Sequence, residues 1–369
     1  MKKFKRIIIL VITLLVIGGI SAFIYFEKGK RSIQVVEWDN VYNEKNIAYN
    51  FSEVDNPKIK ELDNIYKIKE STKNEDTPLK KVLKVVELVN SVVSFDDVPN
   101  SKGINAYDIL KEKKDAKKVS ARDMAIITRD FISCLDLDVR VGEFRNPKGN
   151  INKQKNYYVV EYWSKVDNKW IMIDFKDHGY FENQGFLCSA TELLEDDTKI
   201  LKYNGNSTKK DYMDNLNKSL GSYTVAIDNS VDMKKSNSYV TYIKDKENIT
   251  LDFKGGYILP TIYTEELELI NKNPIDNVIG KDQKAYIILM KKQEAEGNNK
   301  DKEEKSKSLI IGGFRNGSII DSYYIKENSG EYKEVKRYSD VVLKPGENII
   351  ELSLDGKNVA SKIVIECNE

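Results

Sequence analysis

The chain is poor in the residues that do most enzymatic and metal chemistry. It has 369 residues but a single histidine, His178, and three cysteines, Cys134, Cys188 and Cys367. Three cysteines without close spacing form neither a disulfide framework nor a Cys-rich zinc site. One histidine leaves no His cluster to hold a metal, and neither a metal nor a cofactor is expected. Charge of one sign is also missing: 59 Lys and Arg stand against 58 Asp and Glu, a net of +1. A nucleic-acid partner normally calls for a basic excess, so none is expected. Long hydrophobic runs are absent too, except for one at the start.

That run is Ile7–Phe26, uncharged throughout and preceded by the cationic Met1–Arg6. At ~1.5 Å per residue a helix of this length crosses a ~30 Å hydrocarbon core. The leading Lys and Arg favour a cytoplasmic N-terminus. The expectation is a signal-anchor over 7–26, a cytoplasmic stretch over 1–6, and everything after the run outside the cell membrane. A cleavable signal peptide is the competing reading, because Gly18–Ala22 contains small residues of the cleavage type. With 40% hydrophobic and 10% aromatic residues, the remainder has enough apolar material for a folded core.

Residues 27–44 read as a stalk carrying one strand, Ile33–Trp38. Helical patterns follow over Pro57–Glu70 and Thr77–Val93. The strongest helix signal starts at Ser120, an N-cap residue with Asp123 three positions on, and Met124, Ile127, Phe131 and Leu135 at helical spacing. Tyr157–Trp163 and Trp170–Phe175 alternate as strands around Asp167-Asn168-Lys169, a hairpin pattern. Beyond about Tyr223 the patterning becomes short β-type runs: Ser238–Lys244, Ile249–Phe253, Tyr257–Tyr263, Leu267–Ile270, Ala285–Met290, Leu309–Phe314, Ser318–Ile325 and Val341–Leu343. The last two strands flank an Asp355-Gly356 turn. Lys291–Ser308 reads as a solvated mixed-charge loop. The expected architecture is α+β over 45–223, then an all-β, sandwich-like unit over 224–369.

Three segments carry a resemblance: Ser120-Ala121-Arg122-Asp123, Tyr157-Tyr158-Val159-Val160-Glu161, and Trp170-Ile171-Met172-Ile173-Asp174. In this order and spacing the chain resembles the transglutaminase-like, papain-related family. There, these segments bear a Cys opening a helix, His-x-x-x-Glu on a strand, and Trp-x-x-x-Asp on the next. Leu137–Val141 and Gly185–Leu193 resemble further family segments, so the likeness spans roughly 45–223. It implies a papain-like core whose triad positions here hold Ala121, Tyr157 and Asp174, of which only Asp174 keeps its residue type.

Cys-dependent acyl transfer needs a thiolate, a base to take its proton, and a group that orients the base. Ala121 cannot attack a carbonyl. No Cys precedes Cys134, and His178 follows Asp174, so shifting the alignment restores neither partner. Ser120 is better placed to cap its helix than to react. The resemblance therefore implies a pseudoenzyme, with Arg122, Tyr157, Trp163 and Asp174 as candidate groove-binding residues. Tyr157, Glu161 and Trp163 share one strand face by period-two alternation. Asp174 is expected either to hydrogen-bond Tyr157 or to face water.

The implied function is binding or scaffolding at a bacterial cell envelope, toward a cell-wall peptide or glycan or another envelope protein. The alternative is an active cysteine protease, amidase or acyl transferase using displaced residues, Cys188 and His178. A bare structural spacer is the third reading.

Overall fold

The computed structural model describes residues 33–113, 117–145, 156–244, 259–276, 280–291 and 308–367. The expected anchor over 7–26, the stretch over 1–6 and the start of the stalk lie outside them, as do the run Ile249–Phe253 and nearly all of Lys291–Ser308. No helix among the described residues is long and apolar enough to cross a membrane. The architecture is mixed α+β.

A six-stranded sheet positions the site. Its order is Thr261–Thr264, Tyr239–Ile243, Ser222–Ala226, Val139–Arg145, Tyr157–Ser164, Lys169–Ile173. Neighbours are antiparallel except for the first pair. One face is covered by helices Pro57–Tyr66, Pro78–Val92, Ala106–Glu112 and Ala121–Ser133, burying Val85, Val89, Ile127, Phe131, Val160 and Tyr162 in one apolar core. Each helix starts where a capping side chain permits it. Asn56, Thr77, Asn105 and Ser120 accept from backbone N–H groups of the first turn, and prolines open the first two helices.

The central helix, Ala121–Ser133, is buried nearly all round. Ser120 Oγ accepts from Asp123 N at 3.1 Å, but Asp123 does not return the bond. Its short carboxylate instead accepts from Ser101 N at 2.7 Å and from the Arg122 guanidinium at 3.1 Å. Asp130, fully buried in mid-helix, accepts from Ala106 N at 2.7 Å and Arg129 Nε at 2.8 Å, so it holds a neighbouring helix start in place. Burial pushes its carboxyl up, against the pull of Arg129.

Three corrections to the sequence reading concern connectivity. The boundary expected at 223/224 falls inside strand Ser222–Ala226, and the sheet continues through Thr264. The 27–44 stalk is integrated in its described part. Ile33–Trp38 pairs with Val359–Cys367, Asn40 is buried, and Tyr42 donates to Asp282 at 2.7 Å. Leu267–Ile270 is a short helix rather than a strand, since four apolar residues do not define a period.

The C-terminal strands form a five-stranded sheet (Ile33–Trp38, Val359–Cys367, Gly346–Ser353, Ser322–Glu327, Lys333–Lys336) and a four-stranded one around Ser308–Arg315. These close on a shared core containing Ile287, Leu289, Ile311, Ile350, Leu352, Ile363 and Ile365. The strand Tyr286–Met290 is buried on both faces. Ile287 and Leu289 face that core, whereas Tyr286, Ile288 and Met290 join the core beneath the six-stranded sheet. Among the described residues, apolar packing thus runs through three sheets.

Candidate functional site

The site grows from a tight turn at the end of strand Lys169–Ile173. Asp174 N donates to Gly179 O at 2.7 Å and Gly179 N returns to Asp174 O at 3.0 Å. Within the turn, Asp174 Oδ1 accepts from Lys176 N at 2.8 Å and Asp177 N at 3.0 Å. Its other oxygen accepts from the phenols of Tyr157 and, at 2.9 Å, Tyr212. A fully buried carboxylate costs several kcal/mol if left alone. Here four donors surround it, two of them fixed backbone groups.

Tyr157 enters from the first residue of the neighbouring strand, Tyr157–Ser164. Burial, followed by the Asp174 charge, raises its phenol pKa, so at neutral pH it is a hydrogen-bond donor and not a base. Tyr212, on helix Lys209–Leu216, stacks on Tyr203 at 4.1 Å and meets Tyr157 edge-on at 6.1 Å. Tyr203 in turn donates to Asp177. Its ring tip sits against two glycines: a Cβ on Gly179 or Gly205 would lie 2.0 or 2.5 Å from Tyr203 Oη. Lys176 carries the turn outward. Its Nζ lies 4.0 Å above the Tyr157 ring and 5.5 Å from Phe95. Burial lowers its pKa while Asp174 opposes that shift. Aromatic faces also favour the cation.

Phe95 ties this cluster to the central helix. Strand Ser94–Phe95 runs beside Lys118–Val119, the residues leading into Ser120 and Ala121. Ala121 opens the helix half-buried and presents only a methyl group. Arg122 points back to the loop before the helix, its guanidinium 3.5 Å from the carbonyls of Ser101 and Gly103.

The structure therefore brings Tyr157 and Asp174 together. Arg122 is occupied by Asp123 and its own loop. Trp163 does not line this region. Six residues along the strand, roughly 20 Å at ~3.3 Å per residue, it is buried edge-on against Trp170 at 5.4 Å. Its assignment as a groove residue is corrected on that ground: period two gives the shared face but not where along the strand the surface opens.

The displaced pair is no better placed for chemistry. Cys188 is buried, its thiol 3.9 Å from Phe186 O, and burial pushes it up to about 12. His178 sits in the turn with φ 52°. Cys134 is likewise held at about 12 by burial, between the carbonyls of Ile59 and Asp130. A reactive thiol requires a lowered pKa.

One polar cluster supports the sheet behind the site. Arg140 and Glu161 are both fully buried, with Arg140 Nε 2.7 Å from Glu161 Oε2. Arg140 also donates to Ile270 O at 2.6 Å and lies 4.1 Å over the Trp170 ring. Glu161 further accepts from Tyr223 at 2.6 Å and from Ala190 N at 2.8 Å. Tyr223 fits because position 142 is glycine: a Cβ there would lie 1.9 Å from its hydroxyl.

Sequence reasoning missed Tyr203, Tyr212, Asp177 and Lys176. The turn-forming run Asp177-His178-Gly179 was a usable local signal. The two tyrosines carry none, since only tertiary packing brings them to the turn.

No protein-family model and no curated protein matches the chain. Among solved structures, it is similar to a protein from Cytophaga hutchinsonii provisionally named a cysteine protease. The two are 15% identical, with a TM-score of 0.27 over 44% of this chain and 50% of the other. The match thus spans about half of that chain.

Proposed function

We propose that the protein is a membrane-anchored, extracytoplasmic binding or scaffold protein of a bacterial cell envelope, built on a catalytically inactive transglutaminase-like domain. The observation that carries this reading is the hydrogen bond from Tyr157 to Asp174. By the resemblance, Asp174 would orient an imidazole, and here a neutral phenol occupies its carboxylate. Ala121 heads the helix where the thiolate would stand. The buried Arg140–Glu161 pair supports the same alignment, because Glu161 falls at the glutamate of the His-x-x-x-Glu segment. The active-enzyme alternative through Cys188 and His178 is disfavoured by a buried thiol whose pKa lies far above neutrality.

The partner is an envelope protein or a cell-wall peptide or glycan that meets the surface around Ala121, Arg122 and Lys176. The test is photo-crosslinking in cells from positions beside Ala121, followed by identification of the captured species. Crosslinks to one envelope component support the reading. Turnover of peptide or amide substrates by the unmodified protein, lost on changing Cys188 or His178, overturns it. Protease added to protoplasts tests the topology: digestion of the chain beyond 27 is expected, and full protection would overturn the extracytoplasmic placement.

A further inference from the structure

A second site lies at the far end of the hairpin that carries Asp174. Two hairpin tips face each other there. One joins strands Tyr157–Ser164 and Lys169–Ile173, and the other joins Tyr180–Asn183 and Phe186–Leu187. Between them opens a cleft of about 560 Å³ lined by Val166, Asp167, Lys169, Asn183, Gln184, Phe186, Leu187 and Glu192. That volume suits a small ligand.

The lining has an unusual ring. Phe186 is 73% exposed, and Val166 across the cleft is 84% exposed. A phenyl ring left in water forfeits the stabilisation its burial would bring. Phe186 is nevertheless held firmly. Gln184 at φ 51° and Gly185 at φ 91° form a tight hairpin turn, and Phe186 pairs directly with Asn183 across the strands. Those two side chains therefore stand together on one face of the hairpin.

Beside Val166 and Leu187, the remaining lining groups around the ring are polar. Lys169 is paired with Glu192 at 2.7 Å, and Glu192 also closes the capping box of helix Ala190–Glu195. The floor is therefore fixed and locally neutral. Asp167 accepts from Ser164 Oγ through Oδ2 at 2.5 Å, and Asn183 donates from Nδ2 to Asp196 at 3.3 Å. Among the described residues, Asp167 Oδ1 and Asn183 Oδ1 remain available as acceptors, and the exposed Gln184 amide supplies both a donor and an acceptor.

One exposed aromatic face with forked amides and carboxylates around it matches a pyranose ring, which has an apolar C–H face and equatorial hydroxyls. An apolar peptide side chain would leave these polar groups desolvated without partners, at a cost that polar groups do not repay. An anion would meet the unpaired charge of Asp167. We propose that this cleft is a neutral saccharide-binding site, with Phe186 as the stacking platform and Asn183, Gln184 and Asp167 as hydroxyl partners. It is separate from the Tyr157–Asp174 site, and its assignment does not depend on that site's role.

The test is calorimetric titration of the full chain in detergent with two neutral probes, cellotetraose and the N-acetylglucosamine tetramer, with saturation-transfer NMR on the same samples. Saturable binding of at least one probe is expected, with transfer strongest to the protons of one pyranose face. Phe186→Ala should weaken binding at least ~10-fold, or about 1.4 kcal/mol. Phe186→Trp should preserve it. Because Phe186 is exposed, its replacement leaves the core intact, and a matching thermal transition checks this. Absence of binding by both probes below ~10 mM, a Kd equivalent to roughly 2.7 kcal/mol, overturns the proposal. So does unchanged affinity in Phe186→Ala.

Discussion

The Tyr157 phenol donates to the Asp174 carboxylate across two adjacent strands, and no water is needed to satisfy either group. The carboxylate anchors an aromatic cluster. A buried charge with four donors is a structural element, and its removal should be felt as lost stability.

Tyr157→Phe removes one donor from a buried carboxylate and should cost about 1–3 kcal/mol at neutral pH. Urea denaturation measures this. The same variant should flatten the alkaline limb of the stability curve. Burial raises the Tyr157 pKa in the folded state. Its stabilising contribution is therefore complete below the unfolded tyrosine pKa of ~10 and declines as pH rises above it. A wild-type curve that does not fall above that pH, or a variant curve that falls just as steeply, contradicts the assignment.

Introducing a thiol at position 121 and an imidazole at position 157 tests the resemblance itself. In Ala121→Cys the new thiol sits at a helix start, and in the double variant with Tyr157→His it gains an imidazole held by Asp174. Its pKa should fall below the reference ~8.5, further in the double variant than in the single one. Iodoacetamide rates against pH give the number. Equal rates in the two variants would show that positions 121 and 157 do not meet. The native thiols provide the baseline: Cys134 and Cys188 should label only on unfolding.

The Arg140–Glu161 pair is buried at both ends, so breaking one side leaves an unpaired charge. Arg140→Leu should destabilise by about 3–5 kcal/mol. Gly142→Ala should destabilise as well, through the clash with the Tyr223 hydroxyl, which itself binds Glu161. Adding Tyr223→Phe to Gly142→Ala should not recover that loss, because ring carbons of residue 223 would still lie 2.4 and 2.5 Å from the new Cβ. A thermal-melt series over the three variants checks both statements.

A chain ending at residue 223 should not fold cooperatively. It would stop inside strand Ser222–Ala226 and expose Val225, Val240 and Ile262 partners in the core. Circular dichroism melting of the truncated chain should show no sharp transition, and a sharp one would restore a domain boundary at that point.

Much of the local structure was legible because it has local causes. Ser120 announces the central helix, the Asp167-Asn168 turn announces the hairpin that carries Tyr157 and Asp174, and Asp355-Gly356 announces the last one. What was not legible depends on partners distant in sequence. Nothing around Tyr212 says that its hydroxyl reaches Asp174, 38 residues earlier. Trp163 alternates onto the right face of its strand but lies too far along it. The boundary near 223 failed for the same kind of reason. A change from mixed to β-only patterning marks a change in local conformation, while the sheet it enters was begun by Val139–Arg145 and Tyr157–Ser164.

The pairing of Ile33–Trp38 with Val359–Cys367 has a consequence for how the protein is made. The first described strand lies at a sheet edge beside a strand drawn from the far end of the described residues. Until that partner arrives, Ile33 and Trp38 have no sheet to join, and Ile350, Leu352 and Ile363 have no complete core. Closing a contact of this sequence span is slow. A chain interrupted anywhere before Val359 would leave Ile33–Trp38 without its neighbouring strand, so the five-stranded sheet closes only once both distant segments are present.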